Sequence, residues 1–352
     1  MSTEGGLALV SLLRAWPAAP ATSVAPEHAV AFVQASVRHG LVGFVEHAVA
    51  RAGWPLPIEA RALLRRESLG NAARVMRVKA LLAKAVKALA AENVTPVLLK
   101  GYGLARRLYP EPLQRATSDV DLLVTRAEVD RSVRALTGLG LRVRGPAHAH
   151  EDSHHLELTG PSGLVELHFR ALAGYGRALE GDALVARSEV EAWDGLRVRH
   201  PNAEDEAVYL ALHASNHLLQ RLAWLFDLKL LSLPSEQRAP LDWAEIISLA
   251  RETALPHLAW YAWEAAHRLM AAPVPAEVLA ALAPPWWQRE VAARCFSEAR
   301  LLSTGLAKSK PAWMAAKLLL APHVGDMARY TLRRMETAAR ARLDGFRGNT
   351  AG

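Results

Sequence analysis

The eight residues Thr117 to Val124, TSDVDLLV, limit the folds open to this chain more than any other stretch. Val120, Leu122, Leu123 and Val124 read as a strand buried in a core, yet Asp119 and Asp121 interrupt it with one residue between them. Strand side chains alternate between faces, so both carboxylates project from the same one. Their Cα atoms lie roughly 6.5 to 7 Å apart, twice the rise per residue. Two like charges on an apolar strand are unfavourable unless a cation sits between them. Positive charge must therefore be brought to one face of this strand.

Around the strand the hydrophobic period changes twice. Up to about Asn93, segments such as EHAVAFVQASVRHGLVGFVEHAVARAG place apolar residues three and four apart, the helical spacing. From Val94 the runs become short, branched and bounded by Gly, Pro or Asp: VTPVLLK (Val94 to Lys100), DVDLLV (Asp119 to Val124), LRVR (Leu141 to Arg144), HHLELT (His154 to Thr159) and LVELHF (Leu164 to Phe169). Two helices are predicted among them, GYGLARRLY and RAEVDRSVRALTGLG, the second ended by Gly138 and Gly140. After Pro201 the helical period returns and persists. The class is α+β, with an N-terminal helical region (1–93), a mixed-sheet core (94–200) and a C-terminal helical module (201–352). With no repeat and no Gly/Ser linker, these boundaries rest on the period alone.

Composition excludes some classes. Of 352 residues, 51% are hydrophobic and 22% charged, which rules out a disordered chain. The net charge of +7 favours acidic partners such as phosphates, although an Arg- and Ala-rich chain also follows from a GC-rich coding sequence. A single cysteine, Cys295, leaves no internal disulfide or Cys-rich zinc site and points to the reducing cytoplasm. The first residues, MSTEGGLALV, lack the basic start of a signal peptide. No apolar run has the length of a membrane span; WMAAKLLLAPHV contains Lys317 and Pro322. The basic segment MARYTLRRMETAARARLDGFR has the pattern of a helix for acidic lipid or nucleic acid, or simply of a solvated face.

Paired carboxylates on one strand face suit a hard divalent cation, Mg²⁺ above all. In two-metal phosphoryl-transfer sites the ions lie about 3.5 to 4 Å apart and share acidic ligands. A third acid is expected from VELHF, where Glu166 and His168 alternate away from Val165, Leu167 and Phe169; Glu157 in HHLEL is its rival. Just upstream, LLKGYGLARRLY sets Gly101 and Gly103 at a strand-to-helix passage, where free N–H groups and the helix dipole favour a phosphate, with Lys100, Arg106 and Arg107 beside it.

The segment LLKGYGLARRLYPEPLQRATSDVDLLV resembles the core of the nucleotidyltransferase superfamily that includes DNA polymerase β, antibiotic adenylyltransferases and toxin–antitoxin nucleotidyltransferases. More closely, Lys-Gly in place of Gly-Ser, then LYPEP, then Arg115 ahead of SDVDLLV, is similar to a bacterial family of uncharacterised nucleotidyltransferases. VELHFR and LALHASNH with LFDLKLL look like that family too, so the resemblance runs from Val94 to Leu231. It implies a polymerase β-like mixed sheet with flanking helices. Asp119 and Asp121 become the metal-binding pair, Glu166 the third metal ligand, and Lys100 with Gly101 the phosphate loop. Gly103, Arg106, Arg115 and Ser118 are the further nucleotide contacts, and Glu166 or His168 the group that readies the nucleophile. Tyr102 stands where the family has its triphosphate-binding Ser, so that contact has to come from Lys100, Arg106 or Arg115.

The expected activity is transfer of a nucleoside monophosphate from an NTP, ATP first, to a hydroxyl of a small molecule, peptide or protein, with two Mg²⁺ ions and release of pyrophosphate. Two other readings are a non-catalytic nucleotide-binding module and a transferase acting on an RNA 3′ end. The acceptor wall is expected from Tyr209 to Asp227, read as one helical stretch carrying His213, Asn216, His217 and Gln220 on largely one face. His213 and His217 share the spacing of a zinc site but lack further ligands to close it. The tryptophans of the helical half, including Trp224, Trp243, Trp260, Trp263, Trp286 and Trp287, are expected mostly in the core.

Overall fold

The structure, a computed structural model, describes residues 3–144, 153–175, 177–236, 238–303, 309–323 and a few positions between 325 and 336. Three helices, α1 (Thr3–Ala15), α2 (Ala29–Arg38) and α3 (Val42–Ala52), precede the 34-residue α4 (Ile58–Ala91). Val75, Val78, Leu82, Val86 and Leu89, spaced three and four apart, form the stripe by which α4 seats on the sheet.

The sheet segment continues as β1 (Val97–Leu98), α5 (Gly101–Leu108), β2 (Val120–Leu123), α6 (Val129–Thr137), β3 (Arg142–Val143), β4 (His155–Gly160) and β5 (Gly163–His168). A hairpin of β6 (Arg170–Gly174) and β7 (Arg177–Glu180), then α7 (Gly181–Arg187), lead to a second hairpin, β8 (Glu189–Trp193) and β9 (Leu196–His200). Seven strands form one mixed sheet in the order β3-β4-β5-β2-β1-β9-β8. β2 runs parallel to β5 and antiparallel to β1. The four strands after Phe169 are absent from the sequence reading. For β8 and β9 a signal existed: Asp194 and Gly195 both take positive φ, as a two-residue hairpin turn requires.

β2 is buried along its whole length because both faces are covered. Val120, Leu122 and Val124 join Leu98, Val165 and Leu167 in a cluster under α4 and α6. Leu123 faces the other way, with Val97 and Leu99, into a larger cluster. That cluster holds α1 to α3 together with α8 (Ala203–Asn216), α9 (Leu222–Ser232), α10 (Trp243–Glu252) and α11 (Pro256–Met270). α12 (Ala276–Leu282), α13 (Trp286–Cys295), α14 (Glu298–Leu302) and α15 (Lys310–Leu319) complete its margin. Helices from both sides of the sheet segment thus share one cluster with one face of the sheet. Asp121 shares a face with Leu123, so it projects beneath α8 and α9.

Trp263 is fully buried, whereas Trp286 and Trp287 are exposed. The basic C-terminal segment lies mostly outside the described residues. Among the described residues no helix is long and apolar enough to cross a membrane.

Candidate active site

Strand register assembles the acids. Asp121 on β2 lies opposite Glu166 on β5, and Glu166 opposite Glu157 on β4; one step along, His168 lies opposite His155. Lys100, just past β1, places its Nζ 2.8 Å from Asp121 Oδ1 and 4.0 Å from Glu166 Oε2. His168 Nε2 sits 3.4 Å from both Asp121 Oδ1 and Glu166 Oε2. The positive charge demanded by the apolar strand is thus an ammonium, backed by an imidazole.

Burial disfavours charge on Asp121, yet the Lys100 ammonium and the His168 hydrogen bond outweigh it and hold the carboxyl well below the usual range. The same balance runs the other way for Lys100: burial opposes its charge, and Asp121 keeps it protonated above its ordinary value. His168 is likewise raised, its hydrogen bonds to Asp121 and Glu166 overcoming burial. Asp119 is not compensated. Burial, then the neighbouring Asp121, push its carboxyl up despite Lys100. Asp121 Oδ2 is buried and has no hydrogen-bond partner among the described residues.

These groups open onto a cavity of about 420 Å³. Gly101 lines it with φ +65°, and a Cβ there would lie 3.0 Å from Thr117 Oγ1. Ser118 lies exposed at its edge. Gly103 does not line the cavity; its missing Cβ lets α5 close on β1, where it would meet Leu98 Cβ at 2.7 Å. Arg106 also points elsewhere, pairing with Glu191 at 2.9 Å and lying over the Trp193 ring. Arg107 forms a forked pair with buried Glu206 on α8. Arg115 reaches the cavity wall, but its guanidinium grips Asp227 on α9 at 2.8 and 3.0 Å, and Tyr109 Oη donates to the same carboxylate at 2.8 Å. Glu157 is held outward by Arg144 at 3.1 Å. Of the four bases expected at the phosphates, Arg107 and Arg115 are tied to the helical layer and Arg106 to β8, and only Lys100 turns its charge to the acids.

A family model for uncharacterised nucleotidyltransferases matches residues 26–271, from just before α2 to the end of α11. The chain belongs to this nucleotidyltransferase family. Membership supports an enzyme of nucleotidyl transfer. Among solved structures it is similar to the antibiotic-resistance factor ANT(2'')-Ia in solution, at 15% identity and a TM-score of 0.33, over 63% of this chain and 96% of that one. Likeness of that degree carries no weight for substrate. No curated protein matches the chain.

The opposite wall of the nucleotidyltransferase cleft departs from the sequence reading. The expected helical stretch from Tyr209 to Asp227 is broken: α8 ends at Asn216, Leu218 and Leu219 take φ of 52° and 53°, and α9 starts at Leu222. Gln220 reaches the cavity from this turn and not from a shared helical face. Both leucines are buried, so packing fixes a backbone that their side chains disfavour. The His213 and His217 rings lie 4.8 Å apart and flank Trp224 at 5.3 and 5.4 Å. Burial drives His213 well below its usual pKa; burial, then Lys317, bring His217 down to about 4. Both imidazoles of this wall are therefore neutral at pH 7, while the guanidinium of Arg221 lines the cavity beside Trp224.

Sequence reasoning missed His154 and His155 as lining groups; Tyr209 and Trp224, which also line the cavity, fall within the stretch expected to form the wall. For the histidines a signal existed. Gly160 pairs with Gly163 around the two-residue turn Pro161-Ser162, and that register alone sets His155 beside His168. Three donor groups, Asp121–Glu166–His168, His154–His155–His168 and His155–Glu157–Glu166, each have their ligand atoms within 4.8 Å of one another.

Proposed function

We propose that this nucleotidyltransferase moves a nucleoside monophosphate from an NTP, ATP by preference, to a hydroxyl of a small molecule, peptide or protein in an Mg²⁺-dependent reaction. The observation that carries the reading is the buried, unpartnered Oδ2 of Asp121 beside Glu166, with Asp119 on the same strand face still short of compensating charge. Buried carboxylate oxygens in that state fit a hard cation. Asp119, Asp121 and Glu166 would hold the two ions. Once bound, Mg²⁺ would neutralise charge on the phosphates and draw nucleophile and phosphorus together.

The chain's own groups account for the remaining steps. Lys100 and the backbone N–H groups opening α5 at Gly101 face the polyphosphate, assisted by Ser118 at the cavity edge. Glu166, less shielded than Asp121, takes the proton from the acceptor hydroxyl, while His168 Nε2 positions its carboxylate. The acceptor oxygen bonds to the α-phosphorus, and the α–β phosphoanhydride bond breaks with its electron pair leaving on pyrophosphate. Arg115, fixed by Asp227, sets the electrostatic field at the seam of the two walls. The acceptor lies against His217, Asn216 and Trp224. A cytoplasmic site of action is supported by the lone, buried thiol of Cys295.

The test is pyrophosphate release from each NTP in the presence of Mg²⁺ and a host extract, with label followed into protein, RNA and small molecules. Label transferred from ATP to a hydroxyl in an EDTA-sensitive reaction supports the reading. Absence of EDTA-sensitive NTP consumption would refute it.

A further inference from the structure

We infer that His154, His155 and His168 form a binding site for a transition-metal ion of the zinc class, on the outer flank of the acids. Metal binding there does not depend on the nucleotidyl-transfer chemistry. Three imidazoles have ligand nitrogens within 4.8 Å of one another. His155 Nδ1 and His154 Nε2 are 3.0 Å apart, close to the roughly 3.3 Å separating two nitrogens on one tetrahedral ion with bonds of 2.0 to 2.1 Å.

Nitrogen donors distinguish this cluster from its neighbour. Mg²⁺ takes oxygen ligands and keeps its waters, whereas imidazole suits Zn²⁺, Co²⁺ and Ni²⁺. Three histidines with one position left open make up a recurrent zinc arrangement. Here all three line the cavity, so the open position faces substrate space.

The surroundings of His168 add an independent observation. Its Nε2 lies 3.4 Å from the carboxylates of Asp121 and Glu166, while its Nδ1 is buried with no hydrogen-bond partner among the described residues. A metal-bound histidine characteristically gives its other N–H to a carboxylate, which fixes the tautomer and raises the basicity of the ligating nitrogen. A carboxylate also stands behind His155, whose Nε2 is 3.9 Å from Glu157 Oε1.

The probe is Co²⁺ added to untagged, full-length protein, read by its visible ligand-field spectrum, with Zn²⁺ as competitor. One equivalent should give the intense bands of low-coordinate, nitrogen-ligated Co²⁺, displaced by Zn²⁺ and unaffected by millimolar Mg²⁺. The double variant His154→Ala/His155→Ala should lose the bands, whereas His213→Ala/His217→Ala, which alters the cavity's other histidine pair, should keep them. His154→Gln alone serves should the double variant not fold, and should weaken Zn²⁺ binding at least about tenfold. A weak octahedral spectrum from the parent overturns the inference, as do bands that survive loss of His154 and His155 or vanish with His213 and His217, and so does unchanged Zn²⁺ affinity in His154→Gln.

Discussion

The sheet wall and the helical wall of the cleft are made from opposite materials. On the sheet side every group that matters is charged or leans on a charge: Asp121 on Lys100, Lys100 and His168 on Glu166. On the helical side His213, His217, Asn216 and Trp224 present neutral donors, acceptors and ring faces, with the guanidinium of Arg221 beside Trp224 and no carboxylate among the described residues that line this wall. Charge is placed by strand register, which is rigid and tolerates no slip. Recognition is left to a helix end and a turn, whose side chains can differ without disturbing the sheet. Two buried clamps join the walls, Arg115–Asp227 and Arg107–Glu206. Two of the basic residues that look like phosphate ligands in sequence, Arg107 and Arg115, are spent on holding the two layers together.

The most severe challenge to this division of labour is at Asp121. Asp121→Ala should abolish metal-dependent pyrophosphate release, a loss on the order of a thousandfold or more, with the circular dichroism spectrum retained. Residual turnover close to the parent's would mean that the sheet wall is not where the chemistry occurs.

Next comes the clamp. Asp227→Ala strands the Arg115 guanidinium and the Tyr109 hydroxyl in the interior, and should cost about 3 to 5 kcal/mol in urea unfolding. An effect within the range of a surface substitution would show that the walls are joined by apolar packing alone.

Acid should separate the two walls. His39 is 1% exposed, and its pKa is lowered to about 4, chiefly by burial, with Arg38 and Arg221 adding to it. Its Nδ1 accepts the Leu222 N–H and its carbonyl the Ala223 N–H, both at the start of α9. Above about pH 6.5 the ring is neutral in both folded and unfolded chains. As pH falls from about 6.5 to about 4, the unfolded chain gains a proton that the folded one refuses, so stability declines by roughly 1.4 kcal/mol per unit. Asp121, whose carboxyl is depressed, keeps its full contribution through this window and begins to lose it only as pH falls below the ordinary carboxylate range. Hydrogen exchange at pH 5 should open α9 before β2, and His39→Gln should flatten the slope; simultaneous opening of both elements would count against two walls of different acid sensitivity.

The smallest effect is expected on the helical wall. His217→Ala should raise the acceptor KM by about tenfold, near 1.4 kcal/mol, and leave Mg·NTP affinity unchanged. Equal loss of both would place this histidine in the nucleotide pocket. His213, more buried and packed on Tyr209, should also lower the melting temperature when truncated.

Covalent geometry and nearest neighbours make part of this site legible in the amino-acid order. Asp119 and Asp121 had to share a face because strand side chains alternate, and Glu166 with His168 had to alternate away from Val165 and Leu167. The turn at Pro161-Ser162 likewise fixed His155 against His168, although that consequence is easily overlooked. Which cation answers the acids was settled by long-range assembly, because Lys100 and Asp121 meet through the pairing of β1 with β2. Arg115 reads as a phosphate ligand until Asp227 arrives from 112 positions away and takes it. The helix foreseen through Leu218 and Leu219 ends there because burying both leucines favours a left-handed backbone that no local preference supplies. Local periodicity reports what a segment prefers, and long-range packing energy is large enough to overrule it.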